Sequence, residues 1–314
     1  MEKSGKNTRR EFLQRLIAVS AVVGFYPSCD TIADTSDEEL KKDQLPLRAL
    51  GKTGHMIGIY SLGGQASIET PGKEKISVEI INRAVDLGIN YIDTAAAYGR
   101  STADVTRENA MGTSERNMGQ VMKYRRKEVF LASKTHDRTY DGSMRLLEKS
   151  LNNLQTDHLD LWQIHNVRAA ELSDLDKFFA DVLKALADRY PFDNVLVAIN
   201  AADKHYDPFI EKFLPTAVSK KMGIVGMKIP ARDRIFGHGG IITMKEAMEY
   251  VMTLPVSTII IGIDDIPQLE ENIKIAKNFK PLTADQMLVI EDKVKPYYKE
   301  LQFFKNLSEW PTEW

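Results

Sequence analysis

A chain of 314 residues that is 43% apolar can bury a large core, and α/β barrels commonly fill about 250 residues as one domain. Its net charge of −2 argues against a nucleic-acid partner, because phosphate binding depends on clustered Lys and Arg. The single cysteine, Cys29, excludes an internal disulfide and any iron–sulfur cluster held by cysteines of this chain.

Charge is divided unevenly. Residues 1–29 carry +3 and the remainder −5. Arg9 and Arg10 precede the apolar run Leu16–Phe25, which is too short to span a bilayer, so the segment has the layout of an export signal of the twin-arginine type. Cys29 follows that run, where a bacterial lipoprotein carries its acylated cysteine, although Tyr26-Pro27-Ser28 is a poor match to the usual preceding residues. The expected location is outside the cytoplasm, periplasmic or membrane-anchored through Cys29. Residues 30–44 hold Asp34, Asp37, Glu38 and Glu39 among small polar residues and read as an acidic linker to a domain over 45–314.

Leu47 to Ile57, turning at Gly51 and Gly54, predicts a hairpin, and Ile57–Leu62 a first strand ended by Gly63-Gly64. Apolar spacing at Ile76, Ile80, Ile81, Ala84 and Val85 predicts a helix stopped by Gly88. Next, Ile89-Asn90-Tyr91-Ile92 reads as a buried strand that delivers Asp93 and, past three alanines, Tyr98. Val129–Ser133 likewise delivers Lys134, and Leu159–Ile164 delivers His165. Arg100–Thr113 is polar and aperiodic and reads as a loop over the site. Helices are expected at Ser143–Leu154 and Leu172–Ala187. Further strands are Val195–Ile199, ending at Asn200; Gly223–Met227, ending at Lys228; and Thr258–Ile261, ended by Gly262. Between the last two, the glycine loop holding Gly237 and Gly239 leads to Thr243-Met244-Lys245-Glu246, the spacing of a capping box. Backbone N–H groups of such a loop can approach a diphosphate. His55, His136, His158, His205 and His238 show no metal-ligand spacing, so no metal site is expected. The C-terminal aromatics Phe303, Phe304, Trp310 and Trp314 either cover the pocket or pack outside the barrel.

Three strands closing on Asp/Tyr, Lys and His describe a parallel barrel with its site at the C-terminal face. Asp93-Thr94-Ala95-Ala96-Ala97-Tyr98-Gly99, Ala132-Ser133-Lys134, Gln163-Ile164-His165 and Leu269-Glu270-Glu271-Asn272 resemble the aldo/keto reductase family over most of 47–282. The resemblance implies a (β/α)8 TIM-barrel type fold and a nicotinamide cofactor across its mouth, NADP(H) with NAD(H) also open. It also implies hydride transfer to or from a small carbonyl or alcohol. Asn200, Lys228, Gly237, Gly239, Glu271 and Asn272 are then assigned to the cofactor, with Glu271 and Asn272 at its adenine end. The chain departs from the family between the His165 and Asn200 strands, where one βα unit of about 30 residues is missing by the proportions of the barrel. Leu196 also stands where many relatives carry a glutamine.

Hydride addition leaves charge on oxygen, so a proton donor must stand beside it. Tyr98 is that donor, Lys134 is expected to lower its pKa, Asp93 to hold the lysine and His165 to orient the carbonyl. Two other readings stand beside this one: a non-catalytic relative whose cofactor site is impaired by the lost unit, and a Schiff-base lyase with Lys134 as nucleophile.

Overall fold

In a computed structural model of the chain, residues 44–167, 187–188 and 190–305 are described. The signal segment, Cys29, nearly all of the linker, most of the helix expected at Leu172–Ala187, and Trp310 and Trp314 lie outside them. Strands β1 (Leu47–Ala49) and β2 (Met56–Gly58) form an antiparallel hairpin. β3 (Tyr60–Ala66), β4 (Tyr91–Asp93), β5 (Phe130–Thr135), β6 (Leu161–Ile164), β7 (Asn194–Ala198), β8 (Gly223–Met227) and β9 (Thr258–Ile263) form one parallel sheet in the order β6-β5-β4-β3-β9-β8-β7. The sheet curls so far that the side chains of its two end strands meet, with Gln163 Nε2 donating to Asn194 Oδ1 at 2.8 Å.

Because every pair is parallel, all seven C-terminal ends share one rim. Register places them there: Gly63 faces Asp93, Asp93 faces Ala132, Lys134 faces Gln163, and Gly63 faces Gly262. The opposite end is closed by the hairpin. Leu50 and Ile57 bury there with Tyr91, Phe130, Val225 and Ile260. Gly51 sits so close to the start of β8 that a Cβ would lie 2.1 Å from Gly223 N.

The helices α1 (Glu74–Asp86), α2 (Thr113–Arg125), α3 (Tyr140–Leu154), α4 (Met244–Thr253), α5 (Ile266–Lys277) and α6 (Ala284–Val294) cover the outside of the sheet. Helix α1 turns Ile80, Ile81, Ala84 and Val85 inward, and burying each such side chain contributes about 1–3 kcal/mol. Thr139 starts α3 by accepting from Gly142 N, three residues earlier than the apolar period begins. The capping box at Thr243 and Glu246 forms as expected.

Two glycine readings are corrected. Gly63-Gly64 and Gly262 lie inside strands rather than ending them. A Cβ on Gly64 would meet Ser114 Oγ at 2.5 Å and Asp93 O at 2.9 Å, so these glycines permit close strand packing instead of turning the chain. The Arg100–Thr113 loop, for its part, contains one helical turn, Arg107–Ala110, begun by the Thr106 hydroxyl.

Candidate active site

Beyond β4 the chain keeps pairing with β5 before it turns. Thr94 N donates to Ala132 O at 2.9 Å, Ala96 N to Lys134 O at 3.2 Å, and Tyr98 N closes a turn on Ala95 O at 2.9 Å. Tyr98 is thereby folded back over the end of β5. Gly99 is needed directly after it, since a Cβ there would lie 1.8 Å from Ala110 O. His165 N donates to Thr135 O at 2.8 Å, which carries the imidazole to the same rim.

The four expected catalytic side chains meet. Lys134 Nζ donates to Asp93 Oδ1 and to Thr94 O, the latter at 2.6 Å, with both charged side chains fully enclosed. The ammonium lies 5.1 Å from the centroid of the Tyr98 ring, and the His165 ring meets Tyr98 edge-on at 5.5 Å. Burial disfavours both charges of the lysine–aspartate pair, raising the carboxyl and lowering the ammonium, and each partner opposes the other's shift. His165 is pushed well below the usual imidazole value by burial and by the Lys134 and Lys228 charges, so at neutral pH it is an uncharged ring.

One electrostatic expectation is overturned. Tyr98 is raised well above the ordinary phenol value, first by burial and then by the Asp93 and Glu69 carboxylates. The cation that opposes this rise is Arg232, not Lys134. The lysine's charge is already committed to Asp93, whereas Arg232, in the loop after β8, lines the same cleft as Tyr98.

Tyr98 and Asp93 open on a cleft of ≈ 700 Å³ that extends along Gly63–Ala66 and the end of β9 to Gln268, Glu271 and Asn272. Of the residues assigned to a cofactor, Lys228, Glu271 and Asn272 line it. Lys228 Nζ donates to Gln65 Oε1 at 2.9 Å, and burial with the neighbouring Arg232 charge pushes its pKa down to about 7. Gly237 and Gly239 stand back: their loop reaches the cleft through Asp233 and Phe236, and His238 between them stacks on Tyr297 and contacts Glu300. The Asn200 amide is turned toward the C-terminal segment, donating to Leu301 O and accepting from Ala202 N and Gln302 Nε2. Phe303 packs under the loop after β8, with the Arg234 guanidinium 3.8 Å from its ring centroid.

Sequence reasoning missed Gln65, Glu69 and Arg232. The available signal was the density of charge in Lys228-Ile229-Pro230-Ala231-Arg232-Asp233-Arg234 immediately after a strand end.

A curled parallel sheet with polar chemistry gathered at its C-terminal rim places the chain among the α/β barrel-type proteins. Residues 56–190 match the model of the aldo/keto reductase family. Over 300 residues it is 23% identical to the uncharacterized oxidoreductase YqkF of Bacillus subtilis, covering 76% of this chain and 92% of that protein. It is also 23% identical over 334 residues to L-galactose dehydrogenase of Arabidopsis thaliana, covering 86% and 98%. Among solved structures it is similar in fold to an aldo/keto reductase from Klebsiella pneumoniae in complex with NADP and acetate. That match has a TM-score of 0.61 and 19% identity, over 81% of this chain and 95% of that one.

Proposed function

We propose that the protein is a nicotinamide-dependent oxidoreductase that interconverts a carbonyl and an alcohol, with Tyr98 as the general acid and base. The observation that carries this is the meeting of Tyr98, Lys134, Asp93 and His165 at one end of a cleft whose other end is Glu271 and Asn272. Its volume lies in the range of ordinary ligand sites, and its donor set fits a dinucleotide: cations at Lys228 and Arg232 for a diphosphate, polar side chains at Gln268, Glu271 and Asn272 for a ribose and base. NADP(H) is the cofactor in this reading, supported by the family match over residues 56–190 and by the NADP complex of the similarly folded Klebsiella protein. When bound, it supplies or accepts the hydride.

In reduction, the neutral His165 ring can donate a hydrogen bond to the carbonyl oxygen and fix it beside the phenol. Tyr98, whose raised pKa keeps it protonated, then gives its proton to that oxygen as charge develops. Lys134, tied to Asp93, packs beneath the ring, and Arg232 is the cation that opposes the negative charge of the phenolate that remains. The Schiff-base reading requires an accessible neutral amine, whereas Lys134 is enclosed and donating to two oxygens. Titrating purified protein with NADPH while following cofactor fluorescence tests the leading reading against the non-catalytic one; no binding would leave the latter.

Two expectations concern the cofactor. If Lys228 faces the diphosphate, affinity should fall on the order of 10-fold from about pH 6 to about pH 8 as the amine, near 7 in the free protein, loses its charge. Lys228→Met should flatten that dependence; a profile unchanged by the substitution would count against the assignment. Asp264 lies in the cleft wall, where it accepts from Ser67 Oγ at 3.0 Å with Lys73 Nζ 3.9 Å away, and Asp265 is used to cap α5. A carboxylate there repels a 2′-phosphate and can accept from a ribose hydroxyl. Discrimination in favour of NADP(H) should therefore be weak, and Asp264→Asn should strengthen NADP(H) binding relative to NAD(H) in side-by-side titrations.

Location is also part of the proposal. Residues 1–29 direct export by the twin-arginine route, so replacing Arg9 and Arg10 with Lys should leave unprocessed protein in the cytoplasm. Cys29→Ala should release mature protein from the membrane fraction, and an unaltered distribution rules out the lipid anchor. The lost βα unit belongs to the same set of proposals, supported by the 30-residue interval between β6 and β7, from Ile164 to Asn194.

A further inference from the structure

We propose that Tyr91, a buried phenol that takes no part in the proton transfer, positions the Asp93–Lys134 pair: its hydroxyl is joined to Asp93 Oδ2 by one water molecule enclosed beneath the cleft. This rests on the oxidoreductase reading and adds a positioning residue to it.

Asp93 is bonded on one side only. Its Oδ1 accepts from Lys134 Nζ, whereas Oδ2, in a side chain with no solvent exposure, has no hydrogen-bond partner among the described residues. Two residues earlier in the same strand, the Tyr91 hydroxyl is in the same condition, fully buried and without a partner. Each open atom is costly alone, because its loss of water is offset by no bond. Phenylalanine would fill the place of Tyr91 with no group in need of a partner, so the hydroxyl points to a bond that it makes.

The fold sets the two atoms on one side of β4. Side chains two apart on a strand share a face, and here it is the interior face. Tyr91 packs there with Phe130, Val225, Ile260 and Met227, its ring stacked on Phe130 with centroids 5.5 Å apart. Of that group, Met227 and Ile260 also line the cleft, as does Asp93. The floor of the cleft is therefore the roof of the cluster that holds Tyr91, and the hydroxyl lies within electrostatic reach of the site. After burial, the Asp93 and Tyr98 charges hold it well above the ordinary phenol value, so around neutral pH it is an uncharged donor. The two atoms are not bonded to each other. One water closes such a gap with a hydrogen bond at each end: the phenol O–H donates to the water, and the water donates to Oδ2. With both oxygens engaged, the carboxylate is fixed in its plane, and with it Lys134 beneath the Tyr98 ring.

The test is Tyr91→Phe, which keeps the ring and its stacking on Phe130. A bridged hydroxyl is a net stabilising group, so the variant should melt about 2–4 °C below the native protein. A hydroxyl without a bridge is a buried group lacking a partner; its removal would raise the melting temperature, and that result overturns the proposal. In NADPH-dependent reduction of 4-nitrobenzaldehyde, kcat should fall about 5-fold while KM and the NADPH dissociation constant stay near native, since the bridge acts on Lys134 and Tyr98 and not on either ligand. A lower melting temperature with native kcat would leave Tyr91 a structural role and overturn the positioning one. A high-resolution crystal structure of the native protein should show one ordered water within about 3 Å of both atoms; no water there, or a direct bond between Tyr91 and Asp93, overturns the bridge. If the native protein neither binds NADPH nor reduces the aldehyde, the oxidoreductase reading falls, while the melting temperature and the crystal structure still decide the bridge.

Discussion

Tyr98→Phe should slow carbonyl reduction by roughly 10²–10⁴-fold while leaving cofactor affinity nearly unchanged. The substitution removes only the hydroxyl, so the ring keeps its edge contact with His165 and its place over Lys134. The loss therefore falls on the proton transfer. The direction of the pKa shift adds a second readout: burial and the carboxylates Asp93 and Glu69 hold the phenol well above its usual value, so the acid form persists through neutral pH. Reduction should then be nearly flat around neutrality, whereas alcohol oxidation, which needs the phenolate as base, should rise with pH. Near-normal reduction by Tyr98→Phe would remove the mechanistic proposal.

Lys134→Met should cost both activity and stability. Removing one partner of an enclosed ion pair leaves the other charge without compensation, which costs about 3–5 kcal/mol. Asp93 already has its carboxyl raised by burial, and without the ammonium nothing of comparable strength opposes that rise. In the variant the folded state then binds the proton more tightly than the unfolded state, so folding is favoured by protonation. Its stability should be greatest below the unfolded carboxyl value and should decline as pH rises from there through the raised folded value. The double variant Lys134→Met with Asp93→Asn should recover part of the stability and lose the pH dependence. Its activity should be little worse than that of either single variant, because residues that act as one unit are not additive. Thermal unfolding at several pH values, beside steady-state reduction, measures both; a Lys134→Met melting curve indifferent to pH would show that Asp93 is not stranded.

The sequence by itself determined which strands end in chemistry. The runs before Asp93, Lys134 and Lys228 are apolar because both faces of a parallel strand are covered, and a polar side chain at their ends is visible against that background; the run before His165 is only half-buried, with Ile164 exposed. The capping box at Thr243 was legible because it depends on residues three apart. What depends on distant partners was not. Gly63, Gly64 and Gly262 have the composition of strand ends, yet only the approach of Ser114, Asp93 O and Gln65 shows that they are packing positions. Asn200 stands at a strand end like Asp93, Lys134 and His165, but Leu301 and Gln302, a hundred residues away, decide what its amide does. The electrostatics of Tyr98 depended on the fold most of all. Lys134 is nearer in the motif, but pairing with Asp93 commits its charge, and the left-handed run at 231–233 sets Arg232 in the wall of the cleft that holds the phenol. Local pattern settles which residues are available; since charge and burial act through space, only the tertiary structure decides which of them a given proton feels.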